Sequence, residues 1–195
     1  MSQSTPLIAV DTPHKKAKCQ LILHYQITTT MKTTPKDSRL FSIIVLYDMH
    51  SDFLHKALDG ISDDDAHNRL GTKANHVAWI AGSLVEQRFE LANMLGLQTQ
   101  HAAHELFKSN QGIKDDVKYP SLKEYQSEWD RITPQLKDLL LNAESQKLDE
   151  KFEMSPDFKI TYFELISFMT YREANCIGQI ALYRRLLGYE AMKYM

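Results

Sequence analysis

The sequence TYFELISFMTYREANCIGQIALYRRLLG, residues 161–188, carries the clearest helical pattern of the chain. It opens with Thr161 and, three residues later, Glu164, the spacing of a capping box that satisfies backbone N–H groups at a helix N-terminus. Gly188 follows as a residue type that ends helices readily. Between them, apolar residues recur every three or four positions: Ile166, Met169, Ile177, Ile180, Tyr183 and Leu187. This is the period of one helix face, so we predict a long helix that buries one side.

The same pattern predicts two helices in the first half of the chain. The first runs from about residue 38 to residue 58 and is followed by Gly60. The second opens after Asn75, a residue type favoured at the N-cap, and stops at Gly96. A short helical piece is also expected at the acidic turn 62–65.

A third predicted helix precedes the stretch quoted above. It begins at Ser121, where Glu124 completes another capping box, and ends near residue 144, with a kink expected at Pro134. The connection over residues 97–120 is longer than a hairpin turn and is expected to be a crossover with a short helix at 101–107. No segment alternates as a strand for more than a few residues. The predicted fold class is therefore all-α, a four-helix bundle with a long crossover between helices 2 and 3.

The amino-acid composition indicates which kinds of binding partner and which cellular compartment are expected. A chain of 195 residues suits one ordinary domain, and its net charge of -2 argues against general nucleic-acid binding, which relies on Lys and Arg contacts to phosphates. No apolar segment reaches the length of a membrane span, and the first residues lack the basic region of a signal peptide. The two cysteines, Cys19 and Cys176, match no metal-binding spacing, which favours a reducing compartment. We predict a cytoplasmic protein without nucleic-acid or membrane partners.

Residues 1–36 differ from the rest of the chain in being rich in Thr, Lys, Gln and Pro. Their two apolar runs, residues 7–10 and 21–23, do not continue with a helical period. We predict a disordered N-terminal extension over residues 1–36 and a single helical domain over residues 37–195.

Three motifs of this chain resemble those of the DinB-like family. Gly178-Gln179-Ile180, followed by residues 184–188, resembles the family's last helix, whose usual form is His-x-x-x-His-x-Gly-Gln-Ile. Residues 75–84 resemble the family's second helix, in which a His follows Trp by four residues. Residues 119–122 are similar to the start of the family's third helix, and the resemblance covers roughly residues 40–188 in order and spacing.

This resemblance implies a four-helix bundle with one long crossover. Metal-binding members of the family hold a divalent ion, usually nickel or zinc, with one His from helix 2 and two from helix 4. Residues four apart lie on one helix face, so two imidazoles can meet a single ion. Three ligands leave positions open for water or substrate, and some relatives are thiol-dependent transferases or hydrolases. Relatives often form homodimers, so the resemblance also implies a homodimer.

This chain departs from the family pattern at each of the three ligand positions. Ser83 stands in helix 2, and Arg172 and Cys176 stand in helix 4. A neutral hydroxyl is a poor metal ligand, and a guanidinium repels a metal ion. We therefore predict no metal and no cofactor, but a pocket formed by these three residues. Its expected neighbours are His76, Trp79, Glu173 and Gln179.

Two interpretations of Arg172 remain open. Pairing with Glu173, or with a carboxylate on a facing helix, would make it a structural ion pair. Without such a partner it would bind a ligand carboxylate or phosphate. Its charge would also lower the pKa of Cys176 and make that thiol a candidate nucleophile, although most single cysteines on an apolar face are core residues.

Several other polar groups are interpreted as structural. His101 and His104 lie in the predicted crossover and are expected to form a surface pair. The basic pair Arg184 and Arg185 is expected to be a solvated face at a helix C-terminus, where cations favour the helix dipole.

The leading functional hypothesis is a DinB-like protein with a degenerate metal site that binds a small molecule without catalysis or has a stress-associated role. One alternative is a metal- or thiol-dependent transferase or hydrolase that uses a different ligand set. The other is a structural or regulatory partner protein acting through its helical faces. Bound metal or a reactive Cys176 would favour the enzyme. A ligand retained in the pocket would favour the binding protein. A large apolar patch on the outside of the bundle would favour the partner protein.

Overall fold

The computed structural model of the chain describes residues 34–195. Most of the predicted N-terminal extension, residues 1–36, lies outside the described residues, so its disorder stays a prediction. Lys36 already belongs to the fold, because its backbone N–H donates to the carbonyl oxygen of Leu141 at 2.9 Å.

Residues 34–195 are mostly helical, as the sequence predicts. The four long predicted helices are present as α1 (Phe41–Leu58), α3 (Val77–Met94), α4 (Leu122–Asn142) and α6 (Tyr162–Leu186). The predicted short acidic helix is α2 (Asp63–Ala66), and a second short helix is α5 (Ser145–Asp149). Pro134 lies inside α4, which continues through it.

Each long helix packs against two of the others. Helix α1 packs mainly against α6 and α3 mainly against α4, while α3 also contacts α6 and α1 contacts α4. The side chains between them are apolar and at most 3% exposed: Ile44, Leu54, Ile80, Leu84, Phe89, Trp129, Ile132, Leu136, Ile166, Ile177 and Ile180. Because these residues recur at helical spacing, their removal from water is what holds the helices together.

Both predicted capping boxes are confirmed. The backbone N–H of Glu124 donates to the Oγ of Ser121 at 3.3 Å, and the Glu124 carboxylate accepts from the Ser121 N–H at 2.8 Å. Thr161 and Glu164 exchange the same two bonds at 2.7 and 3.1 Å. Gly96 follows α3 with a φ of 104°, a left-handed conformation that favours glycine.

The N-cap of α3 is His76, so the prediction of Asn75 is wrong by one residue. The Nδ1 atom of His76 accepts a hydrogen bond from the backbone N–H of Trp79 at 3.0 Å and therefore carries no proton. The ring is buried beside the rings of His67 and Tyr119. Burial lowers the pKa of His76 to about 4, and the charge of His67 acts in the same direction.

This cap is expected to make stability depend on pH. Because the pKa of His76 is lower in the folded chain than the 6.5 of a free histidine, its contribution is full above that value and is lost as the pH falls towards 4. Replacing His76 by Asn keeps a capping side chain that does not titrate. Between neutral pH and pH 4, wild type should lose about 1–3 kcal/mol of unfolding free energy relative to His76→Asn. Urea titrations at several pH values measure this, and parallel curves for the two proteins would contradict it.

A two-stranded antiparallel hairpin, which is not predicted from the sequence, accompanies the helices. Its strands are β1 (Lys151–Ser155) and β2 (Phe158–Thr161), with Phe152 opposite Ile160 and a register shift between Glu153 and Ser155. Strands of five and four residues with an irregularity contain too few alternations to be recognised in sequence. The hairpin leads directly into the cap of α6.

The crossover between α3 and α4 differs from prediction in its local structure. Two 3₁₀ turns, His104–Leu106 and Lys108–Asn110, replace the short helix expected over residues 101–107. Phe107 is buried, and its ring lies directly over Gly82 of α3. Because Gly82 has no side chain, the ring of Phe107 can pack closely against α3 and hold the crossover there.

Arg184 is buried, and the expectation that it is solvated is wrong. Its guanidinium donates to the carbonyl oxygens of Ala57 at 2.8 Å, Asp59 at 2.9 Å and Glu190 at 2.7 Å. Two of these carbonyls lie at the end of α1, where helical backbone acceptors have no partner within the helix. The guanidinium of Arg184 therefore supplies hydrogen bonds to carbonyl oxygens at the C-terminus of α1. Arg185 is exposed, as predicted.

Two further observations concern the outer surface. Within residues 34–195, no helix is both long enough and apolar enough to cross a membrane. Four large apolar side chains of α1 are exposed: Phe41, Val45, Leu46 and Met49. The homodimer implied by the family resemblance stays a prediction.

Candidate functional site

Two of the three residues that the family resemblance predicts at a metal position, Arg172 and Ser83, are in direct contact. Arg172 on α6 donates from Nη2 to the Oγ of Ser83 on α3 at 3.2 Å. Its Nη1 donates to the Oε1 of Gln87 at 2.8 Å and to the Ser83 carbonyl at 3.5 Å. Gln87 lies one turn beyond Ser83, so two successive turns of α3 hold one guanidinium.

Cys176 lies one turn beyond Arg172 on α6 and is buried. Burial raises the pKa of its thiol, and the opposing effect of the Arg172 charge is smaller. The expectation of a net lowering of this pKa is therefore wrong. The charge of Arg172 does favour the thiolate, but the cost of removing a thiolate from water is larger. In the described part of the chain no histidine is hydrogen-bonded to the thiol, so Cys176 has the character of a core residue.

Glu173 is buried but does not pair with Arg172, contrary to one of the two interpretations. Its carboxylate accepts from Nε and Nη2 of Arg88 at 2.7 and 2.9 Å. The Nδ1 of His50 lies 3.3 Å from the same carboxylate. Successive residues of an α-helix point roughly 100° apart, so Glu173 faces the core where Arg172 faces its edge.

Arg88 lies at the centre of the fold, with a side chain that is 0% exposed. Its guanidinium carbon is 3.4 Å from the ring centroid of Trp129 and 4.0 Å from that of Tyr47. Its Nη1 donates to the hydroxyls of Ser51 at 3.0 Å and Thr133 at 2.7 Å. With Glu173 and His50, these residues form what we call the Arg88 cluster. It joins all four long helices and is enclosed, so its role is to hold them together.

Arg172 and Ser83 form part of a cleft of about 480 Å³. The cleft lies between α3, α6, the hairpin and the crossover. Its polar lining includes Glu86, Gln87 and Glu90 of α3. Its apolar lining includes Trp79, Met94, Met154, Leu165, Phe168 and Met169. A cleft that combines apolar walls with a few polar groups is the usual form of a small-molecule site.

The cleft takes in one of the four neighbours that the sequence suggests, Trp79. His76 instead caps α3 beside Tyr119, and Glu173 belongs to the Arg88 cluster. Gln179 is exposed, and its Nε2 donates to the Oδ1 of Asn175 at 2.7 Å. His76 precedes α3, and Glu173 and Gln179 lie on other faces of α6 than the one that lines the cleft.

Arg172 keeps unused hydrogen-bond donors. Its three bonds to Ser83 and Gln87 occupy Nη1 and one hydrogen of Nη2, and all three acceptors are neutral. Within residues 34–195 it forms no ion pair, and its Nε–H has no protein acceptor. A half-buried guanidinium of this kind can still take up a carboxylate or a phosphate side-on.

His101 and His104 are not a surface pair, which corrects the prediction from their spacing. Their Nδ1 atoms lie 3.0 and 2.5 Å from the two carboxylate oxygens of Glu86. His101 is 3% exposed and stacks with the rings of Phe89 and Phe107. Glu86, which lines the cleft, therefore connects α3 to the crossover through its contacts with His101 and His104.

Glu90 lies one turn beyond Glu86 on α3 and is half-buried. Burial raises the pKa of its carboxyl group, and the charge of Glu86 adds to this, while His104 and Arg172 act in the opposite direction. In the part of the chain that the structure describes, its carboxylate has no hydrogen-bond or ion-pair partner. The cleft thus contains one carboxyl group and one guanidinium that form no ion pair with any group of residues 34–195.

Ser83, Arg172 and Cys176, which the resemblance predicts at a metal position, do not fit a metal ion. Among residues 34–195, no group of three or more His, Cys, Asp or Glu side chains is arranged to hold one. An ion placed beside Ser83 would also meet the guanidinium of Arg172, which repels it.

Sequence reasoning missed Glu86, Gln87 and Glu90. A signal for them exists, because they follow Ser83 at the three- and four-residue steps of one helix face. Polar residues at those positions in a helix that is otherwise buried indicate a cleft or a polar contact.

No family model matches this chain, and no curated protein matches it. The resemblance to the DinB-like family therefore rests on the three motifs described above.

Proposed function

We propose that residues 37–195 form a DinB-like four-helix bundle in which the family's metal position has become a cleft that binds a small organic molecule without catalysis. The observation that carries this proposal is Arg172. It reaches from α6 to Ser83 at that position, lines a cleft of about 480 Å³, and has no carboxylate partner within residues 34–195.

The pattern of helix neighbours supports the bundle. Helix α1 lies against α6 and α3 against α4, with further contacts from α3 to α6 and from α1 to α4, as expected for four helices around one core. The residues at the metal position argue for binding over catalysis. Arg172 stands where the family has a metal-binding residue. Burial raises the pKa of the Cys176 thiol, which disfavours the reactive thiolate form.

The proposal is tested on protein purified without a metal-affinity tag, by native mass spectrometry and elemental analysis. We expect a retained organic molecule and well under one equivalent of nickel, zinc or iron. Arg172→Gln should lose the molecule, and its urea midpoint should be close to that of wild type freed of the molecule, because Arg172 is not part of the apolar core. A stoichiometric metal, removed by chelation with a large loss of stability, would instead favour the metal-dependent enzyme.

The DinB-like resemblance has its own test. If Ser83, Arg172 and Cys176 occupy the family's ligand positions, changing all three to His should create a site for nickel or zinc. The ion should then raise the melting temperature of this variant, because it binds only the folded state. The matched control carries Ala at the same three positions and should show no response. Failure of the triple-His variant to take up either ion would argue against this placement of the family's ligands.

A further inference from the structure

The cleft of the proposed function contains two charged groups of opposite sign that its own residues leave unpaired. Arg172 contributes the positive charge from α6, and Glu90 contributes a carboxyl group from α3. The charge of Arg172 acts on Glu90, but neither group forms an ion pair within residues 34–195. A charged group that is half removed from water and lacks such a partner is costly. This pair therefore specifies what kind of molecule the cleft would bind.

Arg172 is held in place by neutral groups. Gln87 accepts from its Nη1 at 2.8 Å and Ser83 accepts from its Nη2 at 3.2 Å. These bonds fix the plane of the guanidinium and leave Nε–H and one Nη2–H for an incoming acceptor. Two such parallel donors match the two oxygens of a carboxylate.

Glu90 lies one turn along α3 from Gln87, which places it about 5 Å along the helix axis from the residue that holds Arg172. The other carboxylates of the cleft have partners, since Glu86 contacts His101 and His104, and Glu153 pairs with Lys159 at 3.0 Å. Glu90 is thus the lining carboxyl group without a protein partner among residues 34–195. It suits an ammonium group, which donates up to three hydrogen bonds.

The remaining walls are apolar. Trp79, Met154, Leu165, Phe168 and Met169 line the same cleft, and Phe168 is 51% exposed. Methionine and aromatic side chains adapt to apolar groups of different shape. A ligand that placed its charges on α3 and α6 would have room for an apolar side chain among these residues.

We propose, on the basis of the function proposed above, that the ligand is a small zwitterion, an amino acid or a closely related compound with an apolar side chain. Its carboxylate binds Arg172, its ammonium group binds Glu90, and its side chain lies against Trp79 and Phe168. Each end of the ligand then neutralises a charge that the protein leaves unpaired.

Four matched probes test this inference by calorimetric titration of the full chain. Phenylalanine carries both charges, hydrocinnamate only the carboxylate, phenethylamine only the ammonium group, and phenethyl alcohol neither. We expect phenylalanine to bind most tightly, with a loss of about tenfold for each charge removed. The phenyl group is common to all four probes, so differences in their affinities measure the contribution of the charged contacts.

Two variants assign the charges to residues. Arg172→Gln should abolish the preference for phenylalanine over phenethylamine, and Glu90→Gln should abolish the preference over hydrocinnamate. Gln is neutral in both cases; it has the shape of Glu and is shorter than Arg, and both positions are half-buried. Equal urea midpoints for the variants and wild type would establish that folding is unaffected.

The outcomes separate this inference from the proposed function. Equal binding of all four probes, or binding of hydrocinnamate as tightly as phenylalanine, would overturn the zwitterion and leave a binding cleft in place. Binding of none of the probes at millimolar concentration would also overturn it. In that case the retained molecule in the native mass spectrum decides the proposed function separately.

Discussion

Replacing Arg88 by Met is expected to lower the free energy of unfolding by about 3–5 kcal/mol, one of the two largest effects that this structure predicts. The change keeps an unbranched apolar stem but removes the guanidinium, which leaves the carboxylate of Glu173 buried without its bidentate partner. Both side chains are 5% exposed or less, so water cannot replace the lost hydrogen bonds. Urea unfolding measures the loss.

A second substitution identifies the cause. If the cost of Arg88→Met comes from the stranded carboxylate, then Arg88→Met with Glu173→Leu should be more stable than Arg88→Met alone, because the buried charge is gone. Lys36→Met is the surface control. Lys36 forms an ion pair with Glu144, and the two side chains are 53% and 70% exposed. Loss of this ion pair should lower the free energy of unfolding by less than about 1 kcal/mol. A double variant that is less stable by the sum of the two single changes would contradict the explanation.

The same pair predicts a pH dependence. Burial acts to raise the pKa of Glu173, but Arg88 and His50 outweigh it and the pKa lies below its ordinary value. A carboxyl group with a lowered pKa in the folded chain stabilises the fold above its unfolded pKa of about 4.3, and this contribution is lost as the pH falls below that value. Without Arg88 the carboxyl group is protonated more easily. The difference between wild type and Arg88→Met should therefore shrink in acid.

Replacing Gly82 by Ala is expected to destabilise the protein by about 1–3 kcal/mol through overpacking. A Cβ at this position would lie 2.6 Å from the Cζ of Tyr125 and would also overlap the ring of Phe107. Alanine favours helices over glycine by about 1 kcal/mol, but two buried rings must move to admit it, and the steric cost is the larger effect. The crossover should loosen at the same time, because Phe107 fastens it to α3.

Gly178→Ala is the matched control for this prediction. Gly178 lies in α6, and a Cβ there would meet no atom within 4 Å, so the change should raise the free energy of unfolding by up to about 1 kcal/mol. Opposite signs for the two substitutions in urea unfolding are the expected result. A gain for Gly82→Ala similar to that for Gly178→Ala would show that the space above α3 is larger than the structure indicates.

The sequence by itself was sufficient for the helices, because the signals that define them are local. The capping boxes at Ser121 and Thr161 and the left-handed glycine after α3 each depend on residues within one turn. Apolar periodicity is local in the same sense. Where the local signal was weak, as in the short strands of the hairpin and the 3₁₀ turns of the crossover, the prediction failed. The N-cap of α3 was displaced by one residue, because histidine is a less common cap than asparagine.

Only the tertiary structure decided which polar groups meet. Arg88 and Glu173 are 85 residues apart, and His50 and Glu173 are 123 residues apart, so no spacing in the sequence relates them. The resemblance placed Arg172 beside Ser83, but one of the two interpretations of Arg172 paired it with Glu173, and His101 was expected at the surface. The physical reason is that a helix turns its residues roughly 100° apart, and the choice of face depends on how the helices pack. That packing also placed Arg172 and Glu90 in one cleft without an ion-pair partner among residues 34–195. Arg172 carries the proposed function, and the two residues together carry the inference about its ligand.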